Sequence, residues 1–166
     1  MTYFRSNHLP NPMPPFRALL LLALLLPFSA CQIAGPDDPP ESNIEGHKAR
    51  FEARYGTSYS FSLTRGCFCI NGGELLLVQV VDGQVTAAMR TSDHADLPAD
   101  QLEWLETMDE IFDMIQQAEQ SAHHLEVTWS DFGYPAEFYI DWIEGVADDE
   151  MGMTISYVAA GVSVWD

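Results

Sequence analysis

Basic residues are scarce in this chain. Seven Lys and Arg stand against 25 Asp and Glu over 166 residues, which gives a formal net charge of −18 at pH 7. Binding to nucleic acid requires a basic surface that neutralises phosphates, so this composition excludes nucleic acid as a partner. It also excludes electrostatic attraction to anionic lipid. An acidic surface is typical of a well-solvated protein, and it is compatible with cation binding.

Catalytic motifs are also absent. The sequence has no G-x-S-x-G, no H-E-x-x-H and no P-loop, and no spacing brings a nucleophile and a base together. His123 and His124 precede a predicted strand, where adjacent side chains point to opposite faces and do not easily share one metal. We therefore expect a domain without enzymatic activity and without a cofactor.

One long apolar run is present, and it lies near the N-terminus. Arg17 precedes the run ALLLLALLL, which is shorter than the ~20 apolar residues of a spanning helix. A basic flank, this run and the small residues after it predict a secretory signal peptide over residues 1–30. Ser29-Ala30-Cys31 resembles a lipobox and predicts lipid attachment to Cys31. The alternative is ordinary signal cleavage beside an incidental cysteine, and Met1 and Met13 are both candidate start residues.

These features predict an exported protein that a lipid on Cys31 anchors in the cell envelope. In a Gram-negative cell, Gln32 favours the periplasmic side of the outer membrane. Residues 31–42 are rich in Pro and acidic residues without periodicity, which predicts a disordered tether. Residues 43–166 remain for a single domain, and they are numerous enough to bury a core. An envelope protein of unknown identity is the expected partner.

Hydrophobic periodicity predicts the order helix, three strands, helix, three strands. The helices are predicted over Ile44–Tyr55, with Asn43 as its cap, and over Met108–Gln120, after the capping box of Thr107 and Glu110. The strands are predicted at 58–69, 74–81, 84–90, 125–129, 136–142 and 153–159, with a loop and one helical turn between 91 and 106. We therefore expect an α+β fold: an antiparallel sheet of five to six strands with two helices on one face.

The strand patterns also predict register. Asp82-Gly83 is typical of a two-residue hairpin, which places Val80 opposite Val85. Continued without a break, this pairing puts Val78 opposite Ala87 and Leu76 opposite Met89. In the last strand, the same alternation places Met153, Ile155, Tyr157 and Ala159 on one face.

Cys67 and Cys69 remain as a pair once Cys31 is lipidated. An oxidising compartment favours a disulfide between them. In an extended strand their Cα atoms lie near the ~7 Å limit for bridging, but Gly66 and Asn71-Gly72-Gly73 allow a shorter distance. Three interpretations stay open: a structural disulfide, two free thiols on a sheet face, and a redox or metal site.

Two further clusters are candidate binding sites. The acidic loop, defined by Asp141, Asp148, Asp149 and Glu150, is a candidate Ca²⁺ site because Ca²⁺ prefers carboxylate oxygens. Its spacing matches no EF-hand, and the alternative is a solvated turn. The aromatic residues Phe132, Tyr134 and Tyr139 lie in a turn or out of phase with the core, which predicts an exposed patch for a partner.

Four segments carry a resemblance to a known family. The segments YSFSLTRGCFC, TMDEIFDMI, SDFGYPAEFYIDW and DDEMGMTISYV resemble, in that order, a family of bacterial domains of unknown function found in small lipoproteins. The resemblance covers about residues 51–158. Its most specific pieces are Cys67-Phe68-Cys69, Gly133-Tyr134-Pro135 and Asp148-Asp149-Glu150. The family has no established activity, so the resemblance implies neither a mechanism nor a site.

The sequence thus favours a non-enzymatic, lipid-anchored domain that binds another envelope protein or a cation. A thiol–disulfide active domain using Cys67 and Cys69 is the alternative. A third class is a ligand-binding module that uses the outer face of the sheet.

Overall fold

The computed structural model of the protein describes residues 43–146 and 148–161. The predicted signal peptide, Cys31 and the tether lie outside the described residues, and the segment 91–106 holds a short strand that the sequence did not predict. The elements, in chain order, are α1 (Ile44–Tyr55), β1 (Tyr59–Gly66), β2 (Leu75–Val81), β3 (Gln84–Arg90), β4 (Ala95–Asp96), α2 (Ala99–Leu102), α3 (Met108–Ser121), β5 (His124–Trp129), β6 (Pro135–Asp141) and β7 (Met151–Ala160).

The strands form one antiparallel sheet in the order β4-β3-β2-β1-β7-β6-β5. The α+β class is confirmed, but within residues 43–146 and 148–161 the sheet has seven strands in place of five to six, and there are three helices in place of two. The difference arises in the segment predicted as a loop with one helical turn, where the two-residue β4 pairs with the end of β3 and the helical turn is the four-residue α2. A strand of two residues has too little periodicity for a sequence pattern to reveal it. None of the helices in the described ranges is long and apolar enough to cross a membrane.

The two long helices begin at the predicted caps. The side chain of Asn43 accepts a hydrogen bond from the Gly46 N–H at 2.9 Å, and α1 has the predicted bounds. At the start of α3, Thr107 Oγ1 accepts from the Glu110 N–H at 3.3 Å, while Glu110 Oε2 accepts from the Thr107 N–H at 2.7 Å. The predicted capping box is confirmed, and α3 ends one residue beyond its predicted bound.

The core lies between the helices and one face of the sheet. The apolar stripe of α3 is buried, and its Phe112 packs against Phe51 of α1; the stripe consists of Met108, Ile111, Phe112, Ile115 and Ala118. Each fully buried large apolar side chain contributes about 1.5–3 kcal/mol to folding. The strand residues of this core alternate along each strand: Tyr59, Phe61, Leu63, Leu76, Val78, Val80, Phe138, Ile140, Met153 and Ile155.

Two bulges correct the predicted register. The hairpin at Asp82-Gly83 and the pairing of Val80 with Val85 are confirmed, but Thr86 is then an extra residue. Beyond it, Val78 lies opposite Ala88 and Leu76 opposite Arg90, one position away from the prediction. In β7, Ser156 is the extra residue, so Tyr157 turns to the outer face and Val158 packs against the core. One inserted residue reverses the facing of every later side chain, which strict alternation does not anticipate.

Candidate functional site

Cys67 and Cys69 lie in the loop between β1 and β2. The strand predicted to reach Cys69 ends at Gly66, so the pair is outside the sheet. The two cysteines are bonded to each other, with their Cα atoms 5.3 Å apart. The pair is therefore at disulfide distance, and the choice between a structural and a redox role stays a prediction. A loop allows this close approach where an extended strand does not.

The disulfide displays apolar side chains at the surface. Phe68, between the two bonded cysteines, is 97% exposed. Ile70 is 52% exposed and Trp104, from the segment after α2, is 63% exposed. Ile70 and Trp104 line a small apolar cavity of about 260 Å³, together with Cys69 and Arg65. We call Phe68, Ile70 and Trp104 the disulfide tip.

Arg65 holds the two segments of the disulfide tip together. It follows the inward alternation of β1 and is only 6% exposed. Its Nη2 donates to the carbonyl of Ile70 at 2.9 Å, and its Nη1 donates to the carbonyl of Trp104 at 2.7 Å. Nη1 also lies 3.6 Å from Glu106 Oε2. Burial raises the pKa of Glu106, and the guanidinium of Arg65 opposes this rise.

The surroundings of the disulfide tip are acidic. The segments 66–75 and 98–106 contain no Lys and no Arg. They carry four carboxylates: Glu74, Asp100, Glu103 and Glu106. Of these, Glu106 is compensated by Arg65, so the charge that remains around the apolar residues is negative.

The structure separates the three predicted partner-binding aromatics. Phe132 and Tyr134 line one cavity of about 510 Å³, together with Arg54 and Tyr55 of α1. The guanidinium of Arg54 stacks on Phe132, with Cζ 4.2 Å from the ring centroid. Tyr139 lies on another part of the sheet, in a depression that it shares with Glu126 and Glu137. The first two residues therefore share a surface, and Tyr139 does not contribute to it.

The acidic loop does not assemble a recognisable metal site within the described residues. No group of three Cys, His, Asp or Glu side chains there could hold a metal ion. Three carboxylate oxygens of this loop are buried and have no hydrogen-bond partner among the described residues. They are both oxygens of Asp149 and Oδ1 of Asp141. The pKa of nearby Tyr139 is raised, mainly by loss of contact with water and next by the negative charge of Glu150. The Ca²⁺ site stays a prediction.

Sequence patterns did not indicate the disulfide tip. Phe68 was included in a strand, and Trp104 in a polar loop. One signal was available: two bonded cysteines separated by one residue are incompatible with an extended strand, so Phe68 must lie in a loop. The hydrogen bond from Arg65 to the carbonyl of Trp104 had no such signal in the sequence, because the two residues lie 39 positions apart in the chain.

Comparison with known proteins gives one match. A family model described as "Family of unknown function (DUF6174)" matches residues 43–160. The matched range begins at the cap of α1 and ends at the last residue of β7. No curated protein and no solved structure matches the chain.

Proposed function

The chain belongs to this family of unknown function, and we propose that its domain is a non-catalytic binding domain of the cell envelope. A lipid on Cys31 anchors the domain to a membrane, and residues 31–42 serve as its tether. In a Gram-negative cell the domain faces the periplasm from the outer membrane. The signal-like pattern of residues 1–30 and the strongly acidic composition support this proposal.

The disulfide tip is the observation that carries the binding function. Exposed clusters of large apolar side chains mark interaction sites, and Trp is enriched among the residues that dominate binding energy. The disulfide and the buried Arg65 hold the loop in place before a partner arrives. A preorganised loop loses less conformational entropy on binding, which increases affinity.

The cavity beside the tip indicates what kind of partner fits. Its volume of about 260 Å³ is below the ~300–1,000 Å³ of most small-molecule sites. One apolar side chain of a partner protein fits such a cavity. The carboxylates around the tip favour a partner whose apolar contact is surrounded by basic residues.

Site-specific crosslinking tests this surface. A photo-crosslinking amino acid at position 68 is expected to capture one envelope protein in intact cells. The same amino acid at position 143 is the matched control, because Ile143 is also exposed but lies in another loop. Trp104→Ser is expected to reduce capture from position 68. Capture of the same proteins from both positions, or none from position 68, contradicts the proposal.

Membrane anchoring has its own test. Mass spectrometry of the N-terminal peptide is expected to find a lipid on Cys31, and Cys31→Ala is expected to move the chain from the membrane fraction to the soluble fraction. An unmodified Cys31 in the exported chain contradicts the anchor. It does not bear on the disulfide tip.

Thiol–disulfide exchange is the second candidate function. The observation that favours it is the surface position of the Cys67–Cys69 bond, because exposed disulfides are more easily reduced. If the pair exchanges with a partner, Cys67→Ser or Cys69→Ser is expected to accumulate a mixed disulfide that disappears on reduction. No adduct from either variant refutes exchange. Crosslinking through position 68 in the double Ser variant separates binding from redox chemistry.

A further inference from the structure

A groove runs along the last part of β7. One wall consists of the strand residues Ser156–Ala160, and the opposite wall is formed by Arg54, Tyr55, Phe132 and Tyr134. The groove has a volume of about 510 Å³. We call it the β7 groove.

The groove exists because β6 and β7 stop pairing before β7 ends. β6 pairs with β7 only from Glu137 opposite Thr154 to Ile140 opposite Met151. β6 begins at Pro135, which has no N–H to extend this ladder. The preceding turn packs on α1 instead: a Cβ on Gly133 would overlap the carbonyl of His47 and lie 2.9 Å from the Phe51 nitrogen. Only glycine permits this approach, which places the turn against α1.

The end of this pairing leaves one edge of β7 without a partner strand among the described residues. From Ile155 to Ala160, β7 pairs with β1 on one side, and no strand of the described residues pairs with its other side. Alternate residues of a strand direct their N–H and C=O groups to opposite sides. The groove side of β7 therefore presents backbone donors and acceptors that an extended chain can pair with.

Among the described residues, two cations without a carboxylate partner lie in the groove or next to it: Arg54 lines the groove, and Arg50 lines the neighbouring depression. The described residues contain five Lys and Arg, of which Lys48, Arg65 and Arg90 each form an ion pair. Arg50 and Arg54 have no carboxylate within 4.0 Å among the described residues, although the chain carries 25 acidic side chains. Both line a depression with Phe132 that adjoins the groove, where Asp131 is the one acidic residue.

The arrangement of these two arginines leaves donors for a ligand. The guanidinium of Arg54 lies over the Phe132 ring, with Cζ 4.2 Å from the ring centroid, and this contact does not use its N–H groups as hydrogen-bond donors. Arg50 Nη2 donates to Nδ1 of His47 at 2.9 Å and its Nε is covered, so Arg50 contributes its charge to the site and not the Nε donor. An approaching carboxylate would therefore meet positive charge that the protein has not neutralised.

We infer that the β7 groove binds an extended acidic peptide segment of a partner. The peptide adds a strand along Ser156–Ala160, and a carboxylate side chain reaches the guanidinium groups of Arg54 and Arg50. Main-chain pairing supplies the affinity, and the carboxylate supplies the selectivity. This site is separate from the disulfide tip and does not depend on the function proposed for it.

A model peptide tests the selectivity. The blocked pentapeptide VEVEV is titrated into the isotope-labelled full chain in detergent, and amide chemical shifts are recorded. We expect changes at Ser156–Ala160 and Arg54, and none with VKVKV. Arg54→Gln is expected to weaken binding about tenfold, because it removes a charged hydrogen-bond donor. Lys48→Gln, on the same helix but with its cation already paired, is the matched control and should leave affinity unchanged.

Methylated peptides test the strand pairing. N-methylation of VEVEV on the edge that pairs with β7 should abolish binding, whereas methylation on the other edge should be tolerated. Phe68→Ser is expected to bind the peptide as well as the wild type does, which separates this result from the disulfide tip. Any of five results overturns the inference: no shifts in β7, equal binding of VKVKV, no effect of Arg54→Gln, undiminished binding of the peptide methylated on the pairing edge, or the same shifts with inorganic phosphate alone.

Discussion

Replacement of Arg65 by methionine tests how the disulfide tip is held. Arg65→Met keeps the apolar stem but removes the donors to the carbonyls of Ile70 and Trp104, and it leaves Glu106 without its cation. Removal of one partner of a buried ion pair costs about 3–5 kcal/mol. Because the Glu106 side chain is still 23% exposed, we take the lower end, about 3 kcal/mol of unfolding free energy.

Urea denaturation measures this loss. With an m-value of about 2 kcal/mol/M, a loss of about 3 kcal/mol lowers the midpoint by about 1.5 M urea. Arg90→Met is the matched control, because it breaks the solvent-exposed ion pair with Asp93 and should leave the midpoint nearly unchanged. If Arg65→Met moves the midpoint no further than Arg90→Met does, Arg65 does not hold the tip.

The pH dependence gives a second result for the same replacement. Burial already raises the pKa of Glu106 above its usual 4.5, and loss of Arg65 removes the charge that opposes the rise. A carboxyl with a raised pKa binds more protons when folded, so stability falls as pH rises from 4.5 through the folded pKa. The free energy of unfolding of Arg65→Met should therefore be closer to that of the wild type at about pH 4 than at about pH 7. When Glu106→Gln is also present, the loss of stability caused by Arg65→Met should no longer depend on pH between these two values.

Three further predictions concern other parts of the domain. Tyr59→Phe removes the buried hydroxyl that accepts the Met108 N–H at 2.8 Å, and should cost about 1–3 kcal/mol and several degrees of melting temperature; an unchanged melting temperature contradicts this. Gly133→Ala introduces a Cβ that overlaps the carbonyl of His47, so it should destabilise the protein more than the control Gly145→Ala, which has a similar positive φ but open space; equal effects contradict the packing of the turn on α1. For the acidic loop, a Ca²⁺ site with a Kd of about 10 μM would gain about 2.7 kcal/mol in 1 mM Ca²⁺. A rise in melting temperature in Ca²⁺ relative to EDTA that Asp148→Asn/Asp149→Asn removes would support the predicted site, and no shift would contradict it.

The parts of the fold that local physics determines were predictable. Both long helices begin at side chains that satisfy the first free N–H groups, and these signals lie within four residues of sequence. The α3 stripe has a spacing that only a helix brings onto one face. The hairpin at Asp82-Gly83 was equally local, since both residues adopt the positive φ that this turn requires.

The parts that depend on distant contacts were not predictable. The bulges at Thr86 and Ser156 depend on how neighbouring strands fit together, which no single strand encodes. The same limit applies to the site: the loop around Phe68 is fixed by Arg65, and Trp104 reaches it only through the fold. Phe132 and Tyr134 were predicted as exposed aromatics, but the strand edge opposite them follows from where the β6–β7 pairing stops.

The acidic composition and the exposed disulfide tip are connected, because an apolar patch of this kind otherwise favours self-association. A net charge of −18 keeps copies apart at low ionic strength, where the Debye length is long. At about 1 M salt the Debye length falls to ~3 Å, so repulsion between copies is largely screened while apolar contact is not weakened. Light scattering should therefore show a concentration-dependent mass for the wild type in high salt, and a monomer for Phe68→Ser/Trp104→Ser. Ile143→Ser, which removes an exposed apolar side chain elsewhere, should behave as the wild type does. If the double variant associates as strongly as the wild type, another surface mediates the contact, and charge does not protect the tip.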